Sequence, residues 1–152
     1  MIAWIKEINW GKALLVGLLY TVFAAVVRQV ETALTMPYYL DPTHFGLWSR
    51  MMMPKAGPPP AEFMIMSVVF TFATGISIAV IYYYLKTMLP KHFLRRVFFF
   101  ADLMIGFSFI FFTLPVYLLF NVPLGLLVSW FVSTFIILVF ASFLCVKIIG
   151  TK

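Results

Sequence analysis

Negative charge is scarce in this chain: 152 residues carry five Asp and Glu against eleven Lys and Arg, and charged residues of both signs make up 11% of the total. Soluble domains run near about 25%, so the chain is not built for water. Cysteine occurs once, at Cys145, which excludes an intrachain disulfide and any Cys-x-x-Cys thiol exchange. The two histidines, His44 and His92, fall on opposite sides of the expected membrane and cannot hold a haem together. His44 with Asp41, Glu31 and Glu62 lacks the spacing of a metal site. Also missing are His-Glu-x-x-His, a phosphate-cradling glycine loop and Gly-x-Ser-x-Gly. Ser49 beside Arg50 and near His44 is a grouping that any polar loop contains by chance. The sequence leans away from an enzyme and implies neither metal nor cofactor.

What is present points to lipid as the solvent. Hydrophobic residues reach 64% and aromatics 19%, with eighteen Phe, nine Met and a mean hydropathy of +1.06. The net charge of +6 gathers at the ends of apolar runs instead of being spread over a polar surface. That pattern sets membrane topology and meets anionic lipid headgroups; it does not describe a nucleic-acid partner. Lys6 and Lys12 before an apolar run mimic a secretory signal, but the run exceeds the about 7–15 residues of a signal's apolar core and leads into Arg28. It reads as an uncleaved first membrane helix.

Taken in order, Met1–Lys12 is expected to lie at the interface, with Trp4 and Trp10 as anchors. Spans follow at about 13–34, 63–85, 97–120 and 123–146, each near the ~20 residues needed to cross, with Thr35-Met36-Pro37 ending the first. The loop 35–62 starts a brief interfacial helix at Asp41-Pro42, running over His44–Met53, and then stiffens through Pro54 and Pro58–Pro60. The loop 86–96, with Lys86, Lys91, Arg95 and Arg96, is the densest basic stretch and therefore cytoplasmic. Both termini then share its side. Pro115 is expected to kink the third span with Thr113 lending a hydroxyl, and Asn121 to cap the fourth. The whole chain, 1–152, reads as one all-α domain: an antiparallel four-helix transmembrane bundle of a bacterial-type inner (plasma) membrane.

Residues three and four apart share a helix face. In each span one face collects the small and polar residues: Gly17, Thr21, Ala24, Arg28, Glu31 and Thr35; Ser67, Thr71, Thr74, Gly75, Ile78 and Tyr82; Arg95, Asp102, Gly106, Phe109, Thr113 and Tyr117; Gly125, Ser129, Ser133, Ile137, Ala141 and Cys145. Such faces pack helices in lipid, because small residues admit close approach and hydroxyls bridge. Gly17, Thr21, Gly75, Gly106, Gly125, Ser129 and Ser133 are the expected packing positions.

Charges inside spans are costly and face protein, water or headgroups. Arg28 and Glu31 fall about 9 and 4.5 Å below Leu34 at ~1.5 Å per residue, where they are expected to pair. With Asp41, His44, Arg50 and Glu62 they form an outer vestibule that could bind a headgroup. Asp102 is expected to pair with Arg95 or Arg96, or with hydroxyls of neighbouring helices.

In length and basicity the chain resembles the eicosanoid and glutathione-metabolism membrane family, although that family's Arg and Asn-x-x-Glu pattern has no counterpart. A glutamate in its first helix, Glu31, resembles that of small multidrug transporters, where it lies deeper. The missing cysteine pair excludes the quinone-reducing vitamin K family. No residue role carries over. Abundant packing signals beside scarce chemistry favour a binding or assembly protein, self-associating or part of a larger membrane complex. The alternatives are a small transporter using Arg28, Glu31 and Asp102, and a lipid-acting enzyme.

Overall fold

The apolar runs become four helices in the computed structural model, which describes residues 8–43 and 61–150: α1 (Trp10–Leu40), α2 (Ala61–Leu85), α3 (Phe93–Leu119) and α4 (Leu124–Ile149). All four exceed the ~20 residues that hydrocarbon demands, and the described residues hold no strand. The expected interfacial helix over His44–Met53, the proline stretch and residues 1–7 lie outside the described residues.

Helix ends differ from expectation for identifiable reasons. Trp10 and Lys12 belong to α1, not to a separate surface segment, because the Asn9 side chain accepts a hydrogen bond from the Lys12 N–H at 3.1 Å and caps the helix. At its other end α1 runs through Pro37 to Leu40. A proline inside a helix lacks a donor and strains the turn before it. Here the residues just after the proline are anchored from outside, since Tyr39 accepts from the Trp130 indole at 2.9 Å and the Tyr38 hydroxyl lies over Gly125.

In α3, Pro115 is accommodated by a π-helical turn, Phe109–Thr113, in which the Leu114 N–H reaches back to the Phe109 carbonyl. No Thr113 hydroxyl bond forms among the described residues. The N-cap position of α4 is Pro123, not Asn121, and the Pro123 carbonyl accepts from Leu126 and Leu127. A second π-helical turn, Cys145–Ile149, closes α4 before Gly150, whose φ of +88° ends the helix in a conformation that favours glycine.

The helices lie in the order α2, α1, α4, α3, with α1 packed on α2 and α4, and α3 on α4. Half of the most apolar window of α4 is buried against 17–28% for the others, so α4 is the hub. The core sits toward the end that holds the 86–92 loop and Gly150, around Val16, Ile78, Tyr82, Phe100, Ala141 and Cys145. This is the basic end, with Lys86, Lys91, Arg95 and Lys147. At the far end α2 stands free, every residue from 61 to 70 being exposed.

The small and polar faces of α1 and α4 meet, and α2 packs through the half of its face nearer the basic end. Gly17 and Gly75 touch each other: a Cβ on Gly75 would fall 2.9 Å from Gly17 Cα. On α3 the half of the expected face nearer the basic end is turned outward, while farther along Phe109 meets Phe131 of α4 edge-on at 5.8 Å. The buried residues of α3 are Arg96, Val97, Phe100 and Ala101, while Arg95, Asp102 and Tyr117 are exposed and a Cβ on Gly106 would meet nothing within 4 Å.

Candidate functional site

The first polar cluster joins α1 to α4. Arg28 donates through Nη1 to Ser133 Oγ at 2.7 Å and through Nη2 to Thr134 Oγ1 at 2.8 Å. One turn on, Glu31 is 7% exposed, and its Oε1 accepts from Thr35 Oγ1 at 3.0 Å and Ser129 Oγ at 3.2 Å. The chain of bonds continues through Thr35, which is within hydrogen-bonding reach of Tyr39, to Trp130. No Arg28–Glu31 ion pair occurs among the described residues. The expected direct pair is replaced by two rungs of hydroxyls, because the i,i+4 serines of α4 lie opposite the two charges. Opposite signs one turn apart still offset each other in a low-dielectric bundle.

This cluster lies deeper than expected, and among the described residues neither Asp41 nor Glu62 bonds to it. Ser133 lies nine residues into α4, roughly 14 Å from its start at ~1.5 Å per residue. Asp41 accepts from Thr43 N–H at 2.9 Å and Thr43 Oγ1 at 2.7 Å in its own loop. Glu62 is exposed in the first turn of α2, where its charge complements the helix dipole. His44 and Arg50 lie outside the described residues. Thr21 donates to the Gly17 carbonyl of its own helix at 2.8 Å and bridges no neighbour.

The second cluster ties the basic end together. Arg96 is 2% exposed, with Nε donating to Pro90 O at 2.7 Å, Nη2 to Leu89 O at 3.5 Å and Nη1 to the Tyr82 hydroxyl at 3.4 Å. Tyr82 in turn donates to Gly150 O at 3.1 Å, and Lys12 Nζ to Ile149 O at 3.4 Å. Helix termini leave carbonyls without intrahelical donors. Those of α4 are met by side chains of α1 and α2.

Asp102 belongs to neither cluster. It is exposed on the outside of α3, and no hydrogen bond or ion pair to it forms among the described residues. Phe99, Leu103, Gly106, Phe107 and Ile110 line an open trough of about 410 Å³ around it. The expected partner Arg96 is committed to carbonyls, and Arg95 lies two helical turns away. Among the described residues no group of three metal-ligating side chains assembles.

Four helices of this length and composition define an integral membrane protein. No family model, curated protein or solved structure matches the chain.

Proposed function

We propose that the protein is an assembly component of its membrane, a small helical subunit that docks onto another membrane protein through the exterior of α3. The observation that carries this reading is Asp102. Intramembrane charges normally face protein or a water-filled cavity, and Arg28, Glu31 and Arg96 all follow that rule within the chain, whereas Asp102 faces outward with no partner among the described residues. Arg28, Glu31 and Arg96 are spent on closing the bundle.

By the positive-inside rule the basic end belongs in the cytoplasm of a bacterial-type inner (plasma) membrane. There the exposed Lys91, Arg95 and Lys147 would meet anionic headgroups. A transport role draws on Arg28 and Glu31, whose donors and acceptors are already taken by hydroxyls of the same chain, so a solute would have to displace four bonds.

The test places a photo-crosslinking amino acid at Leu103 in native membranes, with Val68 on the free part of α2 as control. Protein adducts at position 103 that diminish with Asp102→Leu are expected. Lipid adducts alone at position 103 would refute the reading.

A further inference from the structure

We infer that the face of α3 around Asp102 and Gly106 receives a transmembrane helix of a different protein, one that carries a lysine or arginine at the depth of Asp102. This rests on the assembly reading and names the chemistry of its partner. Two observations carry it independently.

The first is the unused glycine. Where this chain brings helices close, it spends glycine: a Cβ at Gly17 would lie 2.8 Å from Ile76 Cγ1, one at Gly75 would reach Gly17 Cα at 2.9 Å, and one at Gly125 would strike Tyr38. Glycine inside a helix otherwise lowers stability by about 1 kcal/mol against alanine. Gly106 has nothing within 4 Å of its Cβ position. It lies one turn from Asp102 on the same face, in a trough rimmed by the exposed Phe99, Leu103, Phe107 and Ile110. A second helix fits over Gly106 as α2 fits over Gly17.

The second is charge. Asp102 lies about 10 Å beyond Arg95 at ~1.5 Å per residue, inside the apolar layer, and among the described residues no cation meets it. The Arg96 donors point the other way, to Pro90, Leu89 and Tyr82. A carboxylate in that position is matched by a cationic side chain brought in by the docking helix, where mutual attraction is strengthened by the low dielectric. A second copy of this chain, docked face to face, would instead bring another Asp102 against the first, and like charges repel.

The experiment reconstitutes the full-length protein in phosphatidylcholine vesicles with two synthetic polyleucine transmembrane helices. One carries a single lysine at the depth of Asp102 and the other is all leucine; association is read by fluorescence energy transfer. The lysine helix is expected to associate at least 10-fold more tightly than its leucine counterpart. Asp102→Leu should abolish that difference, Asp102→Glu should retain it, and Gly106→Ile should weaken the lysine helix at least 10-fold. Both positions are on the bundle exterior, and unchanged Cys145 protection from a maleimide verifies that each variant is folded.

Equal association of the two helices, or lysine-helix binding that survives both Asp102→Leu and Gly106→Ile, overturns the inference. So does energy transfer between labelled copies of the protein that Gly106→Ile removes, since the occupant is then a second copy. If the lysine helix shows no preference while protein adducts persist at Leu103 in native membranes, only the basic partner is refuted. If those adducts are absent, the assembly reading itself fails.

Discussion

Arg96 Nε donates to the Pro90 carbonyl at 2.7 Å, on the side of α3 that faces the bundle. Arg95 and Arg96 are chemically equal in the sequence, but successive residues on a helix point about 100° apart. Drawing Arg96 inward buries Val97, Phe100 and Ala101 against α4 and the Tyr82 ring, which meets Phe100 edge-on at 5.2 Å. Arg95, Asp102 and Gly106 are swung out by the same rotation.

Arg96→Met should therefore destabilise the protein by about 2–4 kcal/mol, because buried carbonyls that lose a donor cost about 1–3 kcal/mol each. Arg96→Lys should recover less than half, since a single ammonium cannot reach acceptors spread around a planar guanidinium. Equilibrium unfolding in mixed micelles measures both. A Met variant as stable as the parent would show that apolar packing alone orients α3.

This is also where the sequence stopped being legible. The four spans could be read from hydropathy, and Gly17, Gly75 and Ser133 from their helical spacing, because both depend on local pattern. The face of α3 could not, because it depends on carbonyls of Leu89 and Pro90, which a sequence does not display as acceptors. Continuation through Pro37 depends likewise on Tyr38 and Tyr39 finding Gly125 and Trp130 across the bundle. Arg28 and Glu31 are legible as intramembrane charges, but their partners Ser133, Thr134 and Ser129 are about a hundred residues away in sequence, and local spacing favours an i,i+3 pair instead.

The hydroxyl rungs predict a specific pattern of energetic coupling. Hydrogen bonds to charged groups are worth about 1.5–3 kcal/mol, and coupling is confined to residues that touch. A double-mutant cycle of Arg28→Met with Ser133→Ala and Thr134→Val should show at least about 1.5 kcal/mol of coupling by those figures. The cycle of Arg28→Met with Ser129→Ala should show much less, because Ser129 bonds Glu31. Equal coupling in the two cycles would mean that the rungs exchange partners.

Cys145 is fully buried, packed where α1, α2 and α3 converge on α4. A membrane-permeant maleimide should label it negligibly in the folded protein and stoichiometrically after denaturation, since reactivity needs both access and a thiolate. Labelling of the native protein on the same timescale would require the basic end to open.

The glycines predict a graded series, ordered by what each missing side chain would meet. At Gly75 a Cβ collides with Gly17 backbone at 2.9 Å and Tyr20 Cδ1 at 2.8 Å, so α1 and α2 must separate. Gly75→Ala should cost about 1–3 kcal/mol, the usual range for overpacking, despite alanine's better helix propensity. At Gly125 the obstacle is the end of the Tyr38 side chain, which can swing aside, so Gly125→Ala should cost less and Tyr38→Ala should relieve the cost. At Gly106 nothing is met, and Gly106→Ala should be neutral or stabilise the isolated protein by up to about 1 kcal/mol, the propensity difference alone. Equilibrium unfolding of the three variants gives the order directly. A destabilised Gly106→Ala would mean that the α3 exterior is already covered in the purified protein.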